Sequence, residues 1–319
     1  MQAYKKKPTR RARFLAGIEK AAPWTELEQL IEPFYPKVTG AGRRPIGALR
    51  MLRMYIAQQC FGLSDEGIED AIYDSAAIRD FVGVDPNWGA APDATTLTKF
   101  RHLLEAHDLP RRIFDVINAH LAAQGLIMRE GTIVDATLIA APSSTKNSDK
   151  QRDPEMHQSK KGNDWHFGMK AHVGVDAASG LVHTVVGTAG NVADVCQAHA
   201  LLHGAETLVL ADAGYQGVEK RVENQGSSVR WHVAMNRAKR RALPHTRLGR
   251  LCEQLEVVKA SVRAKVEHPF HVIKNLFRHR KTRYKGLAKN TAQLFTLFGL
   301  ANLVLAGRRF KVSSARGIC

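Results

Sequence analysis

From Gly131 onward the apolar residues of this chain stop recurring every third or fourth position and begin to alternate. That switch of period restricts the fold more than any other feature. Side chains repeat every 3.6 residues on a helix and every two on a strand, so a chain that does both in blocks builds a helical part and a sheet-bearing part. Before the switch, helical stripes occupy residues 24 to 125. Pro45 sits early in a run through Leu49, Leu52, Met54, Ile56 and Cys60. Ser64 is placed to cap the next helix, whose stripe is Ile68, Ala71 and Ile72. Asp93 or Thr95 caps a third, carrying Leu97, Phe100, Leu103 and Leu104, and a fourth runs through Ile113, Val116, Ile117 and Leu121.

After the switch, residues 132–137 are β-branched and predict a strand, and residues 141–164 are polar and predict a loop. Residues 165–176 alternate. Phe167, Met169, Ala171, Val173 and Val175 share one face, and His166, Lys170, His172 and Asp176 share the other. A turn at 178–180 and a second alternating run at 181–188 complete a hairpin. A helix is expected over 193–203, a short buried strand over 207–211 ending at Asp212, and another strand over 229–235. Trp165 and Trp231, both on strands, read as core. A basic stretch from Arg237 to Arg250 follows, then helices to about residue 306. The expected fold class is α/β, a mixed sheet flanked by helices, preceded by an all-helical region.

The chain carries 47 Lys and Arg against 30 Asp and Glu, a net charge of +17. Such an excess favours a polyanionic partner, nucleic acid or an anionic membrane surface. No apolar run reaches the ~20 residues that span a bilayer. The most apolar stretch, 294–306, is short and reads as a buried helix. The basic start, with Lys5, Lys6, Lys7, Arg10, Arg11 and Arg13, is not followed by an apolar stretch of signal-peptide type. It reads either as a solvated tail or as an arm on phosphates. Cys60, Cys196, Cys252 and Cys319 lack metal-ligand spacing, which argues against a zinc finger and fits a reducing compartment.

Three carboxylates stand out. Asp135 is expected near the end of the first strand and Asp212 at the end of the later buried one, and ligands of open α/β sheets gather at strand ends. Neighbouring carboxylates resist joint ionisation unless a cation compensates, and hard oxygen ligands suit magnesium or manganese. Taken singly, each Asp is equally open to a turn-capping role. Arg263, Glu267 and Lys274 fall within about 40° of one another on an ideal helix. That face offers an acid between two cations, or else an ordinary Arg263–Glu267 salt bridge, and Pro269 bends the geometry.

At this point the residues form a recognisable pattern. Arg263, three residues, Glu267, six residues, Lys274 resembles the Tyr-Arg-Glu-Lys signature of the DDE transposases of bacterial insertion sequences, in the large family conventionally numbered five. Ala260 stands where that signature has its Tyr. The blocks around Ile133-Val134-Asp135-Ala136-Thr137 and Leu210-Ala211-Asp212-Ala213-Gly214-Tyr215 are similar to those holding the family's two catalytic Asp residues. Leu63-Ser64-Asp65-Glu66 and Pro92-Asp93-Ala94-Thr95-Thr96-Leu97 are similar to its N-terminal domain. The resemblance spans roughly residues 44 to 307.

It implies an RNase H-like catalytic domain in which Asp135, Asp212 and Glu267 bind two Mg²⁺ ions, replaceable by Mn²⁺. Arg263 and Lys274 would hold phosphates, with Tyr215 beside them. Apart from the resemblance, His166, Lys170 and His172 on one strand face read either as lining a DNA channel or as an ordinary polar sheet face; Arg237, Lys239, Arg240 and Arg241 read as DNA-backbone contacts or a solvated loop, and Arg43, Arg44, Arg50 and Arg53 as candidates for phosphate contact. The expected organisation is a basic arm (1–20), a helical DNA-binding domain (21–128), the catalytic domain (129–307) and a tail (308–319). The expected partners are the double-stranded terminal inverted repeats and target DNA. The protein would act as a homodimer on paired ends, in the bacterial cytoplasm at the nucleoid. A nuclease or resolvase without strand transfer, and an inactive DNA-binding regulator, are the competing readings.

Overall fold

The computed structural model describes residues 7–37, 45–85, 91–127, 130–226 and 228–316. The chain divides into two compact units: one comprises residues 1–120, 276–278 and 299–319, the other 121–275 and 279–298.

The first unit is helical. Its elements are α1 (Arg10–Ala21), α2 (Trp24–Ile31), α3 (Ala48–Phe61), α4 (Asp65–Asp74), α5 (Ala76–Val82), α6 (Ala94–Ala106) and most of α7 (Leu109–Ala123). Local chemistry sets several starts. The Ser64 hydroxyl accepts the Gly67 amide at 2.9 Å to open α4, and Asp93, not Thr95, accepts the Thr96 amide at 2.6 Å to open α6. Met51, Leu52, Met54, Ile56, Ile68, Ile72, Leu97, Phe100 and Leu104 are buried, as their stripes foretold. Residues 10–20, read from sequence as tail or arm, are helical. Thr9 caps α1, and Leu15 and Ile18 are buried. Two apolar residues three apart amid six cations are a weak signal, which the helix nonetheless uses for packing.

One polar cluster sits inside this unit. Asp65, at the start of α4, accepts from Arg101 at 2.8 Å, from Thr98 at 2.9 Å and from Gln58 at 2.6 Å. Burial pushes the Asp65 carboxyl up, but the hydrogen bonds from Arg101, Gln58 and Thr98 outweigh it and hold its pKa below the usual carboxylate range.

The second unit holds a six-stranded mixed sheet flanked by helices: β1 (Gly131–Ala140), β2 (His157–Lys161), β3 (Asp164–Asp176), β4 (Val182–Ala189), β5 (Leu208–Ala211) and β6 (Arg230–Val233). The order is β2-β3-β1-β5-β6, with β4 also paired to β3. β1 is antiparallel to β3 but parallel to β5, and β6 is parallel to β5. After the strands come α8 (Arg237–Arg241), α9 (Arg247–Arg263), α10 (Glu267–His271) and α11 (Leu287–Arg316). The core under β1 and β5 is Val134, Val209, Ala211, Ala198, Leu201, Tyr215 and Val218.

Three expectations change here. The loop expected over 141–164 contains β2, a strand with no apolar alternation, paired to β3 from His157 opposite Gly168 to Lys161 opposite Asp164. The helix expected over 193–203 is two 3-10 turns, Asp194–Gln197 and His199–Leu201. Trp165 is not core: it is 65% exposed, opposite Lys160 on the β2–β3 ribbon. Gly168, where β3 passes from β1 to the ribbon, permits a close approach, since a Cβ there would lie 2.1 Å from the Ile139 carbonyl. The apolar run at 294–306 lies in α11, with Leu294, Leu297, Phe298, Leu300 and Leu303 buried. No described helix is long and apolar enough to cross a membrane.

Asp65→Ala is expected to destabilise the protein by about 3 kcal/mol at pH 7, because it takes from the buried Arg101 its nearer acid, at 2.8 Å, and leaves Glu105 at 4.0 Å. A carboxylate with a lowered folded pKa lends stability above its unfolded pKa of ~4 and loses it as pH falls through the folded value. Urea melts of wild type and variant should therefore converge near pH 3. A gap that stays constant down to pH 3 refutes the charge-based account.

Candidate active site

Strand pairing sets the geometry of the site. β1 and β5 pair Val134 with Ala211, so the next residues, Asp135 and Asp212, stand at the same height; Asp212 lies just past the end of β5, but β1 runs on to Ala140, so Asp135 sits midway along its strand and not near its end as the sequence suggested. Neighbouring strands are ~4.8 Å apart, which brings the two carboxylates side by side. Each spends one oxygen locally. Asp135 Oδ1 accepts the Ala136 amide at 2.7 Å, and Asp212 Oδ1 accepts the Gly214 amide at 2.8 Å, capping the turn Ala213–Tyr215. The capping reading is thus true of Asp212, and it leaves the other oxygen of each acid open.

Glu267 arrives from the C-terminal helices. α9 ends at Arg263, a 3-10 turn covers Ala264–Val266, and Glu267 opens α10. Pro269 lies inside α10, and the chain then widens into a π turn over Val272–Leu276. Proline cannot donate the interior hydrogen bond, and the helix meets that constraint by changing its pitch on either side. Arg263 does not pair with Glu267. No ion pair joins them among the described residues, and the buried Nε of Arg263 has no hydrogen-bond partner. Its charge acts instead on Asp135 and Tyr215. Lys274 reaches β1, donating to the Leu138 carbonyl at 2.8 Å.

The electrostatics report the convergence of the three acids. Burial above all, with the charges of Asp212 and Glu267, lifts the Asp135 carboxyl to about 6 against the opposing pull of the Ala136 amide and Arg263. Three acids with free oxygens, one of them held in protonation equilibrium near neutrality, form a donor set suited to hard divalent cations. The two buried, unpartnered polar groups beside them, Arg263 Nε and the Tyr215 hydroxyl, fit a site completed by a charged ligand. Tyr215 is 1% exposed, and burial together with Asp194, Asp135 and Asp212 pushes its phenol pKa far upward, so it stays neutral.

A fourth acid, Asp194, was missed in the sequence. It opens the 3-10 turn after β4. It accepts Lys170 Nζ at 2.9 Å and lies 3.7 Å from His172 Nδ1. His172 is fully buried with Nε2 against Thr188 Oγ1 at 2.8 Å, and burial pushes its pKa down to about 4 despite Asp194. The available signal was Lys170 and His172 alternating on one face of a strand otherwise buried, an arrangement that calls for an acid.

The other candidate residues have separate fates. His166 is half-buried on β3, opposite Ser159. Arg240 is held bidentate by Glu253, with Nη2 at 2.6 Å, while Arg237, Lys239 and Arg241 on α8 are exposed. In the helical unit Arg50 is exposed. Arg53 is occupied: it stacks 4.4 Å from the Trp24 ring, donates to the Phe81 carbonyl at 3.0 Å and pairs with Glu19 at 2.7 Å. Arg43 and Arg44 lie outside the described residues.

A second cluster, His183, His203 and Glu206, brings three ligand-type atoms within 4.8 Å of one another. Its chemistry is already internal. Glu206 accepts the His203 and Gly204 amides at 2.6 and 2.8 Å and the Thr132 hydroxyl at 3.2 Å, and Thr132 also meets His183 Nε2 at 3.0 Å. It ties the start of β1 to β4 and to the turn before β5.

Comparison with known families gives two matches. Residues 127–303 match the Transposase DDE domain, and residues 2–103 match the Transposase domain (DUF772). The first match contains Asp135, Asp212 and Glu267.

A raised carboxyl pKa means that the folded protein pays for the charge above pH 6, and that the penalty fades as pH falls toward the unfolded value of ~4. Asp135→Asn should therefore raise the stability of the metal-free protein at pH 7.5 by about 1–3 kcal/mol, and by nothing near pH 4. Equal gains at both pH values would assign the effect to packing instead.

Proposed function

The chain belongs to the transposase DDE-domain family, and from that membership we propose that it cuts DNA at the terminal inverted repeats of an insertion sequence and joins the freed ends to target DNA. The observation that supports the reading is that Asp135, midway along β1, and Asp212, just past the end of β5, follow a directly paired couple of residues, with Glu267 within electrostatic reach. An RNase H-like arrangement accounts for that order, with the first acid on a central strand, the second on its parallel neighbour and the third on a following helix.

Asp135, Asp212 and Glu267 would hold two divalent ions, Mg²⁺ with Mn²⁺ as substitute. Such ions, when bound, stabilise the attacking and leaving oxygens of an in-line phosphoryl displacement. The chain's own residues supply placement. Asp212 is fixed by its turn and Asp135 by its strand, so their open oxygens cannot drift apart. Arg263, with its buried unpartnered Nε, offers a directed donor to a phosphate oxygen. Lys274 anchors β1 through the Leu138 carbonyl and brings a positive charge to that strand. Arg50, Arg237, Lys239 and Arg241 are the exposed cations that would meet the DNA backbone. Lys170, His172 and Arg53 serve this reading indirectly, by holding the elements that carry the site and the helices. A homodimer on two paired ends, acting in the bacterial cytoplasm at the nucleoid, completes the proposal.

The test uses labelled transposon-end DNA with Mg²⁺. Asp212→Asn and Glu267→Gln should bind the DNA with affinity near wild type while losing nicking and end-joining by at least ~10³-fold. Variants that cut as well as wild type would make these acids structural. Wild type that cuts but never joins would make the protein a nuclease.

A further inference from the structure

A second set of ligand-type side chains meets where β1 and β5 begin. His183 comes from β4, His203 and Glu206 come from the turn that leads into β5, and Thr132 of β1 stands among them. The hydrogen bonds within this cluster account for its shape but leave its charge unbalanced. The Glu206 side chain is fully buried. Burial pushes its carboxyl up, but the amides of His203 and of Glu206 itself, the charge of His203 and the Gly204 amide outweigh it and hold its pKa below the usual carboxylate range. The group is therefore an anion inside the protein, and no Lys or Arg pairs with it among the described residues. What it faces is an imidazole. His203 Nε2, buried and without a hydrogen-bond partner, lies 3.4 Å from Glu206 Oε1. A buried anion beside an unsatisfied nitrogen calls for a cation between them.

We propose that His183, His203 and Glu206 bind one zinc-class divalent ion, at a site separate from the three acids Asp135, Asp212 and Glu267. The spacing fits. Zn²⁺ holds nitrogen and carboxylate oxygen at ~2.0–2.2 Å, and tetrahedral ligands at that radius stand ~3.3 Å apart. His203 Nε2 and Glu206 Oε1 already have that separation, and one ligand-type atom from each of the three residues lies within 4.8 Å of the others. The Thr132 hydroxyl, 3.2 Å from Glu206 Oε1 and 3.0 Å from His183 Nε2, offers a fourth corner. The groups behind the ligands fit as well. His183 Nδ1 meets Thr184 Oγ1 at 2.9 Å, the kind of oxygen to which a metal-bound imidazole gives its remaining N–H. Glu206 is aimed by the His203 and Gly204 amides. His203 gives up one long contact, the Ala205 amide 3.3 Å from Nδ1, when its ring proton moves to that nitrogen. Donor chemistry selects the ion. Two imidazoles and one carboxylate suit zinc and its first-row neighbours, whereas an all-oxygen set suits magnesium. The effect is structural: Thr132 precedes Asp135 by three residues and Glu206 precedes Asp212 by six, so the ion would fix the starts of both strands that place these acids. The site stands whether or not the chain joins DNA ends.

The full-length protein, stripped with a chelator, would be titrated with Zn²⁺ and separately with Co²⁺ as its coloured substitute, both in millimolar Mg²⁺ to occupy the three-acid site. One ion per chain should bind. Co²⁺ should show the strong visible absorption of a four-coordinate site, and Zn²⁺ should bleach it. Zn²⁺ should raise the melting temperature by ~5 °C or more. His203→Ala and Glu206→Gln should weaken Zn²⁺ binding by ~100-fold or more and abolish that shift, while Asp212→Asn keeps both. His183→Cys replaces one ligand by another, so it should still bind Co²⁺, with the added near-ultraviolet absorption of a thiolate bond; it reports on the site even where the alanine variant folds poorly. A wild type that binds no Zn²⁺ in the presence of Mg²⁺, or binding unchanged by His203→Ala, overturns the proposal and leaves a hydrogen-bonded cluster. Zn²⁺ lost in Asp212→Asn but kept in His203→Ala places the ion among the acids and overturns it equally. Loss of DNA cleavage with the zinc intact bears on the strand-transfer reading alone.

Discussion

Parallel pairing of β1 with β5 is the constraint on which the site depends. Were either strand to slip by one residue, every side chain on it would change face, and one acid would turn into the core while the other stayed. The pairing is secured from several directions. Val134, Val209 and Ala211 are buried beneath it, Thr132 is tied to His183 and Glu206 at its start, and Lys274 grips the Leu138 carbonyl beyond it. Within that rigid frame burial, and after it the charges of Asp212 and Glu267, lift the Asp135 carboxyl above its ordinary range. The fold tolerates a locally unfavourable group because its strands are over-determined elsewhere.

The cations divide by what they touch. Several are spent inside their own unit: Lys170 on Asp194 and Lys274 on a strand carbonyl beside the sheet, and Arg53 on Trp24 and Glu19 among the helices. Those on short exposed elements, such as Arg237, Lys239 and Arg241 on α8, remain free of the core. A net positive charge therefore overstates how many side chains face a ligand. Arg263 is the intermediate case, half-buried, with a buried Nε that has no hydrogen-bond partner and a charge that acts on Asp135. Its failure to close a salt bridge on Glu267, four residues on, keeps both groups available.

Much of this was readable from residue order. Strands with one buried face announced themselves by alternation, and capped helices by Ser64 and Asp93. Asp212 was placed by the strand that ends before it, whereas β1 runs five residues past Asp135, further than its β-branched run indicated. What escaped had a physical reason. β2 is held by backbone pairing alone, so its side chains carry no period. The turns at 194–201 are stabilised through Asp194 and Lys170, a contact between residues far apart in sequence. His172 looked like a polar surface residue because alternation reports only that two faces differ, and here both were covered. Arg53 looked free because its partners, Glu19, Trp24 and Phe81, come from three other helices or their ends.

The same polar sequence that hid β2 has a further effect. β2 stands at one end of the sheet order, where unpaired backbone groups can template a strand from another molecule. His157-Gln158-Ser159-Lys160-Lys161 offers such an intruder charge and polarity in place of an apolar surface. A strand composed this way ends the sheet without inviting its continuation. It can therefore carry a bulky exposed residue such as Trp165 on the adjoining strand with little risk of seeding aggregates.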